Sequence, residues 1–115
     1  MKEINIKRIY DEPTDGDGYR VLVDRLWPRG ISKKDARLDE WNKEIAPSPE
    51  LRKWFDHKEE RFQEFRLLYR KELASKTKEL HRLKTLAKKE VVTLIYGAKD
   101  PAINHAVVLK EFLAK

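Results

Sequence analysis

The run Tyr19-Arg20-Val21-Leu22-Val23-Asp24-Arg25-Leu26-Trp27-Pro28-Arg29-Gly30 decides the fold of this chain. Residues 19–23 are mostly apolar, and a buried strand is predicted over residues 19–26. From Asp24 onward the run adds an acid, two guanidinium groups and an indole, with a turn bounded by proline and glycine. Because packing alone seldom needs so many polar and planar groups where a strand ends, we expect a functional site here.

A second apolar run, Glu90-Val91-Val92-Thr93-Leu94-Ile95-Tyr96, is short and β-branched and predicts another buried strand. Helical patterns fill the residues between these two strands, so we expect them to be parallel and joined by a right-handed crossover. A first strand over residues 2–10 could instead form an antiparallel hairpin with the strand at 19–26. The predicted fold class is α/β, a small two-layer or three-layer sheet of about three to four mostly parallel strands with about four helices.

Four helices are predicted from capping residues and apolar periodicity. The longest carries Phe62, Phe65, Tyr69 and Leu73 at spacings that place them on one buried face. Two helices begin at a polar N-cap followed by proline, with Ser48 and Asp100 as the caps. The predicted helices span residues 49 to about 55, 59–74, about 78–88, and 101 to the C-terminal region, whereas residues 30–41 are expected to be irregular, with room for a short helical turn.

The composition is that of a single soluble globular domain. The chain has 115 residues, which suffices for one core without crosslinks. It has no cysteine, which excludes disulfides, thiolate metal sites and a cysteine nucleophile. No apolar run approaches the length of a membrane span and no signal peptide is evident, so we expect a cytoplasmic protein without a membrane partner. The net charge of +6 favours anionic partners.

Two segments are expected to meet at one edge of the sheet. Ligands of open α/β sheets bind outside the carboxyl ends of the strands. If the strands at 19–26 and 90–96 are parallel, residues 24–30 and 96–105 come together there. The second segment includes the amino end of the last helix, which suits an anion because its backbone N–H groups are free.

Each polar residue in these segments has a possible chemical role. Arginine pairs hold phosphates or carboxylates by bidentate hydrogen bonds, and an indole can stack on a planar ligand. A histidine is the most suitable proton carrier, helped by a nearby carboxylate. The candidate proton-transfer residues are Asp24 and His105, and the candidate ligand-binding residues are Arg25, Trp27, Arg29, Tyr96, Asp100 and Asn104.

Every one of these residues also has a structural interpretation. Asp24 could form a buried ion pair with an arginine, Trp27 could cover the sheet edge, and Asp100 could act only as a helix cap. His57 follows a predicted helix and fits its C-terminal end. A metal site formed by His57, His105 and Asp24 lacks any recognised ligand spacing, so we expect no metal and no cofactor.

Residues 23–30 resemble the signature of the YeaO-like branch of domain-of-unknown-function family 488. Further residues agree with that family over nearly the whole chain, namely Trp41, Ala46-Pro47-Ser48, Leu51, Arg52, Trp54-Phe55-Asp56-His57, Phe65 with Tyr69, Val92-Thr93-Leu94-Ile95-Tyr96, Ala98, Asp100 and Asn104-His105-Ala106. The resemblance implies a small, intracellular bacterial or archaeal protein from a family whose name records that no activity is established. The resemblance also joins residues 24–30 and 96–105 into one signature. It adds Arg52 as a candidate ligand-binding residue and His57 as a candidate catalytic residue.

Three functions remain open from the sequence. The first is binding of a small anionic, phosphorylated or nucleotide-like metabolite, with hydrolysis or group transfer if the protein is an enzyme. The second is an accessory protein that binds nucleic acid through the basic residues 76–89. The third is regulation through a protein partner, which an exposed apolar patch at Trp41 or Trp54 would favour. The sequence gives neither the ligand nor the oligomeric state.

Overall fold

The computed structural model describes residues 4–114, so the first two residues of the predicted 2–10 strand lie outside the described part. Four parallel strands form one sheet in the order β1-β4-β2-β3. The strands are β1 (Ile4–Arg8), β2 (Tyr19–Leu22), β3 (Glu40–Trp41) and β4 (Val92–Tyr96). The predicted α/β class and the parallel arrangement of β2 and β4 are therefore confirmed.

The alternative of an antiparallel hairpin between the first two strands is wrong. β4 lies between β1 and β2 and is parallel to both, with Val92 opposite Ile4 on one side and Tyr19 on the other. All five residues of β4 are buried, as befits a central strand covered on both faces. The most apolar strand takes the centre of the sheet, and this arrangement separates β1 from β2.

Within residues 4–114, five α-helices complete the fold. The three helices predicted between β2 and β4 are confirmed, although the first residues of the second one form a short 3-10 turn. Among residues 4–114, no helix has both the length and the apolar character needed to cross a membrane. The helices are α1 (Lys33–Ala36), α2 (Pro49–Phe55), α3 (Phe62–Ala74), α4 (Thr77–Lys89) and α5 (His105–Leu113).

The predicted start of the last helix is wrong. Asn104, and not Asp100, is its N-cap, because the Asn104 side-chain oxygen accepts from the Val107 N–H at 3.0 Å. Asp100 Oδ1 accepts from the N–H groups of Ala102 and Ile103 at 2.8 and 3.0 Å, which closes an isolated turn before the helix. Both residues are good caps, and the packing of the helix against the sheet selects the second one.

Side chains alternate between two apolar layers along the strands. Val21 and Leu94 face the large core built by helices α2 to α5. Leu22 and Ile95 face the opposite side, where Trp27 and other residues of the segment 27–41 cover the sheet. Residues 30–41 were expected to be irregular with room for a short helical turn, and the four-residue helix α1 is such a turn, whereas the two-residue strand β3 was not expected there. A strand this short is specified by its pairing with β2 and not by its own sequence.

The amino end of β2 is held by buried charged groups. Asp17 accepts hydrogen bonds from Lys7 Nζ at 2.9 Å and from Arg20 Nη1 at 2.5 Å. Arg20 is only 4% exposed and also donates to the backbone carbonyls of Ala36 and Arg37. Gly18, with φ of 64°, brings the chain against β4, where a Cβ atom would lie 2.3 Å from the Val91 carbonyl oxygen. The charges of this region are all satisfied within the protein.

Candidate functional site

A cavity of about 370 Å³ opens at the carboxyl edge of the sheet. Because all four strands are parallel, the segments that follow them meet at this edge. Residues from the ends of β1, β2 and β4 line it, together with residues of α2 and the first residue of α5. Of the ten candidate residues, eight line this cavity: Asp24, Arg25, Trp27, Arg29, Arg52, His57, Asn104 and His105.

Three arginines give the cavity its charge. Arg25 is anchored by hydrogen bonds from Nε to the Pro47 carbonyl oxygen at 3.2 Å and from Nη2 to the Ala46 carbonyl oxygen at 3.3 Å. Arg29 and Arg52 are exposed. Within residues 4–114, none of the three forms an ion pair with a carboxylate, and Asp24 is the one acidic residue that lines the cavity. The cavity therefore carries an excess of positive charge that no described side chain neutralises.

Asp24 and His105 form a fixed pair on the cavity wall. Asp24 Oδ2 accepts from the Gly97 N–H at 2.9 Å, and Asp24 Oδ1 lies 2.9 Å from His105 Nε2. The same Nε2 atom lies 3.1 Å from the Val23 carbonyl oxygen. Because both neighbours of Nε2 are acceptors, we assign a proton to this nitrogen, which donates to the Val23 carbonyl oxygen. The buried Asp24 Oδ1 has no hydrogen-bond partner among the described residues. His105 Nδ1 has no hydrogen-bond partner among the described residues, so it is the nitrogen left for a ligand.

Gly97 is required for this arrangement. A Cβ atom at this position would lie 2.9 Å from Asp24 Oδ2 and 3.6 Å from Pro28. Contacts under 3.0 Å force one of the two groups to move. The absent side chain therefore lets the Asp24 carboxylate approach the end of β4 and turn its other oxygen toward His105.

Two tryptophans fix the loop that follows β2. The Trp27 indole N–H donates to the Ile31 carbonyl oxygen at 2.7 Å, and the Trp41 indole N–H donates to the Asp24 carbonyl oxygen at 2.7 Å. Their rings meet edge to face with centroids 5.2 Å apart. Trp27 lines the cavity as a rigid wall. Trp41 was not a candidate residue, yet it holds the main chain of Asp24 in position.

The end of α2 brings His57 to the cavity. Asp56 and His57 both have left-handed backbone conformations, with φ of 47° and 56°. Two consecutive left-handed residues that are not glycine are costly, and such strain concentrates at functional sites. His57 is exposed beside Phe55, with ring centroids 6.2 Å apart. It therefore lines the cavity in addition to ending the helix.

Tyr96 and Asp100 lie outside the cavity lining. Tyr96 is 2% exposed and belongs to the core, and its burial raises the pKa of its hydroxyl. Asp100 is exposed, and hydrogen bonds from the Ala102 and Ile103 N–H groups lower the pKa of its carboxyl. Asn104 lines the cavity, but its oxygen caps α5 and its amide nitrogen donates to the Asp100 carbonyl oxygen at 2.8 Å. These three residues are held by the protein's own groups.

Five lining residues lie outside the two segments expected at this edge and were not candidates, namely Tyr10, Ala46, Pro47, Phe55 and Phe65. Tyr10 follows β1, and it would have been a candidate had β1 been placed parallel to β4. Phe55 and Phe65 were assigned to helices, and they line the cavity from the core side with rings 4.2 Å apart. Within residues 4–114, no three histidine, aspartate or glutamate side chains are arranged to hold a metal ion.

Comparison with known proteins gives the family. The model of the family described as "Inactive DUF488-N3 subclade" matches residues 3–115. The chain is 53% identical over 110 residues to the uncharacterized protein YeaO of Escherichia coli K12, and the match covers 96% of each chain. It is 43% identical over 110 residues to the uncharacterized proteins Rv3073c of Mycobacterium tuberculosis H37Rv and Mb3100c of Mycobacterium bovis, covering 96% of this chain and 92% of each relative. No solved structure gives a significant match. The resemblance to the YeaO-like branch is confirmed.

Proposed function

We propose that this chain, which belongs to the inactive DUF488-N3 subclade, binds a small anionic metabolite, phosphorylated or nucleotide-like, in the cavity at the carboxyl edge of its sheet. One observation carries the proposal. Arg25, Arg29 and Arg52 line a single cavity, and none of them has a carboxylate partner among the described residues. We propose the cytoplasm as the location, because phosphorylated metabolites are retained there.

Keeping these three cations together around one cavity costs electrostatic free energy. Guanidinium groups around one partly enclosed cavity repel each other, and an anion removes that repulsion. Arg25 is already oriented by two backbone carbonyls, so less conformational entropy is lost when it binds. The first residue of α5 adds a helix amino end on the same side, where an anion is also stabilised.

The lining favours binding without turnover. Among the described residues that line it, none is a serine, threonine, cysteine or lysine, four of the side chains that act as nucleophiles in enzymes. Asp24 Oδ2 accepts from the Gly97 N–H and Oδ1 lies 2.9 Å from His105 Nε2, so we assign Asp24 the role of positioning His105. His105 Nδ1 and His57 then serve as hydrogen-bonding groups for the anion. The description of the family as inactive supports the same interpretation.

The basic helix α4 supports nucleic-acid binding less well. Arg82, the arginine of that helix, donates to both Glu40 and Glu79, so its charge is already paired. Lys88 is exposed, as expected for a solvated surface. A protein-partner role at the tryptophans has less support too, because Trp41 and Trp54 are half-buried.

A thermal-shift screen tests the proposal. The probes are inorganic phosphate, pyrophosphate, sugar phosphates, dicarboxylates, nucleotides and short oligonucleotides. A ligand present at 100 times its Kd adds about 2.7 kcal/mol of stability, which shifts the midpoint clearly. The variants are Arg25→Ala and Arg29→Ala, and the control is Lys88→Ala, which removes the same charge from the exposed face of α4.

We expect at least one small anion to stabilise the wild-type protein and the Lys88→Ala control. The same anion should have little effect on either arginine variant, because each removes a cation from the cavity. Stabilisation by oligonucleotides alone, unchanged in Arg29→Ala, would contradict the proposal and favour the nucleic-acid alternative. Equal responses of all three variants to the same small anion would contradict it as well.

A further inference from the structure

We infer that the anion is the phosphate of a nucleoside 5′-phosphate, and that its base rests on the cavity rim formed by Tyr10 and Leu26. This inference rests on the proposed function and adds the class of ligand. Binding of an anion by the three arginines leaves the exposed apolar side chains at the cavity unexplained.

The exposed apolar side chains of this protein are concentrated at the cavity. Tyr10, Leu26 and Leu67 are the large hydrophobic residues that are exposed within residues 4–114, at 43%, 60% and 61%. Tyr10 and Leu26 both line the arginine cavity, whereas Leu67 lies on α3. An apolar rim around a cationic cavity suits a ligand with one anionic part and one apolar part.

Tyr10 is exposed but fixed in place. Its hydroxyl donates to the Arg29 carbonyl oxygen at 2.9 Å. The Arg8 guanidinium lies over its ring, 4.8 Å from the centroid, and is itself anchored to the Ala98 carbonyl oxygen at 2.8 Å. A ring fixed by its hydroxyl and covered on one face by Arg8 loses little freedom when a planar group stacks on its other face. Stacking on an aromatic side chain is how proteins hold a base without reading its identity.

The hydroxyl contact also sets the spacing of the two parts of the ligand. Because Tyr10 donates to the main chain of Arg29, the aromatic ring lies beside one of the three arginines. A nucleotide fits this order of groups, because its ribose joins a planar base to a phosphate. Three guanidinium groups suit a phosphate dianion better than the single charge of a carboxylate.

The size of the cavity suits a ligand of about one nucleotide. Its volume of about 370 Å³ lies near the lower end of ligand pockets, which span roughly 300–1,000 Å³. A sugar phosphate would leave the Tyr10 and Leu26 rim uncovered. A nucleoside 5′-monophosphate would cover that rim and still reach the arginines.

Titration calorimetry on the full chain tests the inference with three classes of probe. These are inorganic phosphate, ribose 5-phosphate and the four common ribonucleoside 5′-monophosphates. We expect at least one monophosphate to bind at least about fivefold more tightly than ribose 5-phosphate, the lower end of what stacking on an aromatic ring contributes. Tyr10→Leu and Leu26→Ser should bring this ratio close to one while the Kd of ribose 5-phosphate stays the same.

Leu67→Ser is the matched control, because Leu67 and Leu26 are equally exposed and only Leu26 lines the cavity. It should keep the wild-type ratio. Equal Kd values for ribose 5-phosphate and every monophosphate in the wild-type protein would overturn the nucleotide inference but leave anion binding intact. A ratio that persists in both rim variants would overturn the placement of the base. Failure of every phosphate to bind would overturn the proposed function itself.

Discussion

Arginines at the two ends of β2 are in opposite situations. At the amino end, Arg20 is buried, pairs with Asp17 and donates to two backbone carbonyls. Beyond the carboxyl end, Arg25 donates only to two carbonyls at 3.2 and 3.3 Å, and Arg29 has no ion pair within the described residues. The two ends share a strand and a residue type but differ in what neutralises the charge.

This difference separates a structural charge from an available one. A buried guanidinium is tolerated only when the protein supplies its counter-ion, because the charge has lost its solvent. An arginine at an open cavity keeps water as its partner until a ligand replaces it. The arrangement of carboxylates, and not the number of arginines, therefore points to the carboxyl edge as the place where an anion binds.

The largest expected effect is on stability, when arginine is replaced by alanine at the amino end of β2 and, for comparison, beyond its carboxyl end. Arg20→Ala leaves Asp17 buried without its closest partner, and removing one member of a buried pair costs about 3–5 kcal/mol of unfolding free energy. Arg29→Ala removes an exposed side chain and should change the unfolding free energy by less than about 0.5 kcal/mol. Urea unfolding followed by tryptophan fluorescence measures both. Similar losses of unfolding free energy in the two variants would contradict the distinction between a structural arginine at one end and an available arginine at the other.

Acid should weaken the amino end of β2 selectively. Burial by itself would raise the pKa of Asp17, but hydrogen bonds from Lys7, Thr14 and Arg20 outweigh it and hold the pKa at about 2. Since this folded pKa lies below the ordinary value, the stabilisation is complete above pH of about 4 and is lost as pH falls toward 2. The loss amounts to roughly 2–3 kcal/mol by linkage.

The measurement is the free energy of unfolding in urea at a series of pH values between about 5 and 2. Asp17→Asn cannot titrate, so its stability should start lower and fall less over this window. An unchanged pH dependence in Asp17→Asn would show that other carboxyl groups are responsible.

A smaller effect is expected from Gly97→Ala at the carboxyl edge. The added Cβ atom would lie 2.9 Å from Asp24 Oδ2, so the carboxylate must move and its contacts with the Gly97 N–H and His105 weaken. We expect a loss of about 1–2 kcal/mol, typical of a strained buried hydrogen bond. Gly16→Ala is the control, because its Cβ atom would meet only Thr14 Oγ1 at 3.9 Å. Equal midpoints of thermal unfolding in the two variants would argue against the crowding.

The smallest expected effect is a gain in stability at the end of α2. Asp56 has φ of 47°, where glycine is unstrained, so Asp56→Gly should raise the unfolding free energy by up to about 1 kcal/mol. Asp56→Ala keeps the strain and should bring no gain. Differential scanning calorimetry distinguishes the two, and a lower midpoint in Asp56→Gly would show that the Asp56 side chain stabilises the turn.

Local sequence patterns predicted the parts of this protein that depend on local physics. The apolar run of β4 identified a central strand, and Ser48-Pro49 identified the start of α2, because periodicity and capping act within a few residues. Asp100-Pro101 misled for the same reason, since it is a good cap that closes only one turn. The choice of Asn104 required the contacts of α5 with the sheet.

The candidate site was predicted to the extent that strand direction could be inferred. Parallel β2 and β4 brought Asp24, Arg25, Arg29 and His105 to one edge, as expected from the crossover between those strands. Tyr10 was missed because the direction of β1 depends on which strand it pairs with, and that partner lies more than eighty residues away. The family resemblance supplied Arg52 and His57, for which no local pattern indicated a position at this edge.

The sequence by itself therefore determined the α/β class, the helix faces and the segment after β2 that carries the candidate residues. Periodicity, caps and composition are properties of neighbouring residues, so they can be read without the fold. Only the tertiary structure decided which charges are neutralised. Asp17 pairs with Arg20 and Lys7, Asp24 pairs with His105, and the cavity arginines keep no carboxylate among residues 4–114. Ion pairing depends on distances between segments far apart in the chain, and those distances are fixed only when the sheet assembles.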